Sequence, residues 1–134
     1  MSPRHSGRIV NCTPSESRTR RDQARAFLEV AELVLTEERR EAHVAAALAV
    51  LAGIAAADAI CGLNLGKWSR GQDHRQAVDL LNEVALHDHS LPTKLGRLVA
   101  DKDAVHYSPN LITVDRAKTM VLLATALLAE ADRR

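Results

Sequence analysis

Aromatic residues are nearly missing from this chain: Phe27, Trp68 and Tyr107 are the only three in 134 positions. Sheets draw much of their packing from aromatic and β-branched side chains. That shortage, set beside abundant alanine and leucine, argues for helices. Cysteine is scarce too. Cys12 and Cys61 cannot make a disulfide framework, and both are expected to be reduced thiols of a cytoplasmic protein. Neither sign of charge dominates. With a net charge of +1, no global field gathers nucleic acid, and any such site has to rest on a local patch. Also lacking is a charge-free apolar run of roughly 18 residues, the length that signals a membrane span. Asp58 interrupts the longest candidate, and the N-terminus has no apolar leader core. Neither a membrane role nor secretion is expected.

Several signatures of chemistry are absent as well. The sequence has no Gly-x-Ser-x-Gly elbow, no His-Glu-x-x-His pair and no Walker loop. His87 and His89 stand two apart with Asp88 between them, but no complementary His or Cys group follows at a metal-site spacing. No metal and no cofactor are expected.

What is present is helical periodicity. Residues 1–13, "MSPRHSGRIVNCT", carry none and are expected to be a flexible tail; residues 14–134 form one domain. Thr13, Pro14 and Glu16 have the spacing of an N-cap, a first-turn proline and a capping-box partner. Ala24, Phe27, Leu28, Ala31, Val34 and Leu35 share one helical face, which predicts a first helix ending near Glu38. "EAHVAAALAVLAGIAAADAICGL", from Glu41 to Leu63, is apolar nearly all round and predicts the most buried helix. Gly53 within it implies the close approach of another backbone, and Gly62 and Gly66 are expected to stop it. A third helix is expected over 72–86 with Ala77, Leu80, Leu81 and Val84 inward. A fourth starts at Thr93, carries Leu95, Leu98, Val99 and Val105, and is ended by Pro109. A fifth spans 114–131 with Val121, Leu122, Ala124, Leu127 and Leu128 in the core. No strand pattern stands out. The fold class is all-α, an antiparallel bundle of four to five helices.

Three places could carry chemistry. Asp58 sits in "IAAADAI", where an unpaired carboxylate would cost several kcal/mol. It needs a partner, expected on the fourth helix at His106 or Tyr107, either as a structural tie or as a site carboxylate. In "DKDAVHY", Lys102 and His106 share a helix face, and Asp103 is within reach of His106. That grouping suits proton transfer by a carboxylate-held histidine, and it equally suits a polar helix end. In "GKWSRGQDHR", Lys67, Arg70, His74 and Arg75 surround Trp68. The loop could hold phosphates or stack a base, or be a solvated loop with Trp68 folded back onto the bundle and Asp73 capping the third helix.

The order of "AAADAICGL", a basic loop, "DHRQAVDLL" and a short helix ending "KDAVHYS" resembles the HEPN superfamily, in particular actinobacterial HEPN-like proteins. The resemblance covers residues 24–131. It implies a small helical-bundle domain of toxin–antitoxin or defence systems that forms a homodimer. It also implies RNA as a ligand and a nucleotidyltransferase-type antitoxin as a possible partner. His106 matches the histidine of the family's ribonuclease motif. The motif's arginine has no match, since Asp101, Ala100 and Val99 occupy its positions. The expectation is therefore a dimeric interaction or nucleic-acid-binding module with a degenerate ribonuclease motif. The alternatives are a metal-independent endoribonuclease using Lys102 and His106, with Asp103 and Asp58 in support, and a purely structural bundle.

Overall fold

In a computed structural model, which describes residues 8–70, 74–85 and 88–134, the chain is an all-α helical bundle with one two-stranded ribbon. The first helix, α1 (Pro14–Val34), starts where the capping box puts it. Glu16 N–H donates to Thr13 Oγ1 at 3.0 Å, and Thr13 N–H donates to Glu16 Oε1 at 2.8 Å. Two of the otherwise orphaned amide groups of the first turn are thereby satisfied, so the polar stretch after Thr13 is regular helix.

Helix α2 (Arg39–Leu65) is longer than its apolar run and forms the centre of the bundle. Its buried face is mostly alanine, which lets α1 lie close along it on one side and α6 (Val114–Asp132) on another. By length and composition α2 could cross a membrane, but its most apolar window is 72% buried within the bundle. Gly62 does not end the helix. A Cβ there would stand 2.1 Å from Ser17 Oγ, so this glycine lets the start of α1 pack against α2. The stop is Gly66, whose φ of 69° is left-handed and whose N–H closes on Gly62 O at 3.0 Å. At Gly53 the close neighbour is the Leu98 side chain, not a backbone: an added Cβ would lie 2.4 Å from Leu98 Cδ1.

The expected tail contains a strand. β1 (Ile9–Asn11) pairs antiparallel with β2 (Lys67–Ser69), with Val10 opposite Trp68. Cys12 N–H to Gly66 O at 2.9 Å and Arg70 N–H to Arg8 O at 2.7 Å extend the ladder at both ends. The pairing satisfies backbone groups of the segment after α2 and helps cover Trp68, which is 8% exposed. No single-strand pattern could reveal this, since each strand is three residues long and their partners lie far apart in sequence.

Helices α3 (His74–Val84) and α4 (Ser90–Ala100) pack against each other and against α2. The expected fourth helix is broken. At Asp101 (φ −94°, ψ 2°) the N–H turns to Leu98 O, and α5 (Lys102–His106) begins a new turn. The Asp101 carboxylate is held by the Arg116 guanidinium of α6, with Nε to Oδ2 at 2.7 Å. This long-range pairing fixes the break and turns α5 towards the N-terminal end of α2. In α6 the core residues include Met120, Val121, Leu123, Ala124, Leu127 and Leu128, whereas Leu122, expected inside, is 69% exposed.

Candidate functional site

The partner of Asp58 lies on α1, not on the fourth helix. Arg20 Nε donates to Asp58 Oδ2 at 3.0 Å, with the arginine side chain 29% and the aspartate side chain 9% exposed. Arg20 also donates through Nη1 to Gln23 Oε1 at 2.9 Å, which orients the guanidinium. Neither His106 nor Tyr107 reaches this place. They belong to the segment that packs near His43, and Asp58 lies about 15 positions, or roughly 22 Å, further along the helix axis. Burial pushes the Asp58 carboxyl up to about 6, against the opposing pull of the Arg20 and Arg70 charges. Desolvation likewise pushes the neighbouring Cys61 thiol up to about 12, which leaves it unreactive near neutral pH.

What α5 meets on α2 is His43. Its Nδ1 accepts from Ile112 N–H at 3.1 Å, so Nε2 carries the proton and donates to Val105 O at 2.9 Å. His43 thus ties α2 to both α5 and the segment before α6. Helical periodicity does not single it out, but a lone imidazole in "EAHVAAAL" carries the same signal as Asp58: a polar group in an apolar helix that needs partners.

Within α5 the helical spacing holds, but the groups diverge. Lys102 Nζ lies 5.7 Å from the centre of the exposed Tyr107 ring, a cation–π distance. His106 Nε2 is shut away from solvent and finds no hydrogen-bond partner among the described residues. Burial, then the Lys102 and His43 charges, lower the His106 pKa, with Asp103 acting weakly the other way. Among the described residues no hydrogen bond joins Asp103 to His106. A half-buried imidazole whose Nε2 is closed off and which has no carboxylate partner among the described residues is poorly placed to trade protons with a substrate.

Lys102 and Asp103 face elsewhere. With His74 and Arg75 at the start of α3 they line an open groove of about 470 Å³, floored by Val78, Gly96, Val99 and Ala100. The two basic segments that the sequence held roughly thirty positions apart therefore meet on one surface. His74 also borders a smaller cavity of about 160 Å³ shared with Arg20, Asp58 and Arg70. Trp68 is folded back onto the bundle and is not an exposed stacking platform. Lys67, half-buried on β2 opposite Asn11, lines none of these spaces. Asp73 and His87 lie outside the described residues. Among the described residues no cluster of His, Cys, Asp and Glu could hold a metal ion.

The structure thus places His74, Arg75, Lys102 and Asp103 on an α3–α5 groove, Asp58 in an ion pair with Arg20 near Arg70 and the buried Trp68, and His106, half-buried, and Lys67 on neither. No family model, curated protein or solved structure matches the chain.

Proposed function

We propose that the chain is a HEPN-like interaction module that holds the phosphate backbone of single-stranded RNA in the α3–α5 groove without cutting it. The observation that carries this reading is the convergence of His74, Arg75 and Lys102 on one open groove, where Asp103 is the one acidic lining residue among the described residues. Cations along a groove bind phosphates by releasing counterions, and that binding is independent of base sequence. The degenerate motif supports a role short of cleavage. The motif's arginine, the group that would stabilise transition-state charge, has no match before His106 in the sequence, and His106 is not among the described residues that line the groove. The same reading takes the active form to be a homodimer. Val30 and Leu33 on α1 and Leu122 on α6 are exposed apolar residues. Along their helices they lie between the Arg25–Asp132 and Lys118–Glu37 ion pairs. A nucleotidyltransferase-type antitoxin remains the partner that the resemblance proposes.

Fluorescence anisotropy with labelled single-stranded RNA tests the reading. Binding should weaken steeply with salt. Lys102→Ala and Arg75→Ala should each weaken it and reduce the salt slope by about 1, and His106→Ala should leave it unchanged. The labelled RNA should stay intact throughout. Absence of salt-dependent binding, or equal binding by Lys102→Ala, would remove the groove from consideration. Cleavage by the parent chain that is lost in His106→Ala would establish the ribonuclease alternative instead.

A further inference from the structure

The C-terminal half of α2 borders a cavity separate from the groove. It measures about 450 Å³, lies between α1 and the end of β2, and includes Ser15, Thr19, Arg20, Asp58, Trp68 and Arg70 in its wall. Its volume falls in the range of small-molecule sites, roughly 300–1,000 Å³. Its hydrogen-bonding groups are unbalanced towards donors. Arg20 commits Nε to Asp58 and Nη1 to Gln23, which leaves Nη2 without a partner among the described residues. The exposed Arg70 acts on Asp58 through its charge but makes no ion pair within 4.0 Å among the described residues. Ser15 and Thr19, one turn apart on α1, bring two hydroxyls that make no hydrogen bond among the described residues. The cavity's other carboxylate, Glu16, is engaged by Thr13 N–H.

Arg20 and Arg70 face two carboxylates, Asp58 and Glu16, so the charges balance while Asp58 is ionised; an oxyanion that replaces the Asp58 carboxylate at Arg20 finds two arginine forks, which suit a phosphate well. The space exceeds what a bare oxyanion needs, and Trp68 forms another part of its wall. We propose that this cavity binds a small phosphate monoester, with its oxyanion between Arg20 and Arg70 and its organic part against the Trp68 indole.

Asp58 is then the internal competitor of the ligand, since its carboxylate occupies the guanidinium that the phosphate would use. Among the described residues, the charged and titratable groups that share its cavity walls or act on it are Arg20 and Glu16 from α1, Arg70 from the end of β2, His74 from α3, and Cys61 on its own helix. Burial already disfavours the charged carboxylate. An entering dianion disfavours it further and draws Arg20 away.

Trp68 is the chain's only tryptophan, so its fluorescence reports the cavity alone. Titrating the full chain with phenyl phosphate should give a saturable change with a dissociation constant of about 1 mM or tighter. Inorganic phosphate should bind more weakly, and phenol should give no saturable change. Arg70→Gln alters an exposed side chain; it should weaken phenyl phosphate binding about tenfold or more, the effect of one charged hydrogen bond, with no change in melting temperature. Asp58→Asn should tighten binding, and Lys102→Ala, in the separate groove, should leave it unchanged. Should Asp58→Asn fail to fold, Arg70→Gln decides alone. The proposal is overturned by a flat titration with phenyl phosphate, by an equal response to phenol, or by full binding in Arg70→Gln.

Discussion

Helix α2 carries two polar residues in its apolar length, and the protein treats them in opposite ways. His43, near the N-terminal end, is closed in by backbone: it donates to Val105 O and accepts from Ile112 N–H, and both ring nitrogens are used. Asp58, near the C-terminal end, is met by a charged side chain and lines two cavities. Backbone partners are fixed by the fold and cannot be exchanged. A guanidinium on a flexible stem can turn to another anion. The His43 end therefore behaves as a rivet between α2, α5 and the approach to α6, and the Asp58 end as a joint that a ligand can open.

The largest effect is expected at Arg20. Arg20→Ala leaves the Asp58 carboxylate buried without its ion-pair partner, and chemical denaturation should show a loss of about 3 to 4 kcal/mol. A loss below about 1 kcal/mol would mean that Arg70 or water replaces Arg20 fully. Asp58→Asn sharpens the same point through pH. The folded-state pKa of about 6 lies above the usual 3.8, so the folded chain holds this proton more tightly than the unfolded chain. The corresponding stability is complete below about pH 4 and lost as pH rises through 6, a change of about 3 kcal/mol. The asparagine variant lacks that loss, so its stability relative to the parent should rise between pH 4 and pH 7. A difference that stays flat across that window would show that Asp58 ionises without penalty.

At the other end of the helix, His43→Ala leaves the Val105 carbonyl and the Ile112 amide without their side-chain partner, which should cost about 2 kcal/mol. Hydrogen exchange should quicken in α5 and at Ile112, not in α1. Exchange that quickened around Arg20 instead would mean that the two ends are not independent. The smallest effect is expected at Leu122, outside both. Leu122→Gln should change the stability of the isolated chain by no more than about 0.5 kcal/mol. If the exposed apolar residues of α1 and α6 form the dimer contact, it should still shift light scattering towards monomer.

How much of this was legible depended on how local the cause is. The capping box at Thr13 and Glu16 acts within one turn, and the structure reproduces it. The apolar run of α2 announces its own burial. The break at Asp101 was invisible because Arg116, which holds it, comes from another helix. Asp58 announced that it needed a partner but not which one. Arg20 lay in a polar stretch that reads as frayed unless α1 is known to run along α2. Leu122 and Leu123 are neighbours, and which of them points inward depends on how α6 is rotated against the bundle. The groove has the same character: its cations sit in two separate segments, and only the fold brings them to one surface.

The alanines of α2 have one more consequence. Buried positions 42, 45, 46, 49, 52, 55, 56, 57 and 59 are all alanine, a side chain with no rotamers to freeze when the chain orders. The central helix therefore assembles with little entropic opposition from its own side chains. The cost is a lack of slack. A methyl group cannot swing to relieve a clash or fill a gap, so an enlarged residue on this face has to be accommodated by the helices around it. Sequence drift should accordingly be freer on the exposed faces of the outer helices than along the inner one.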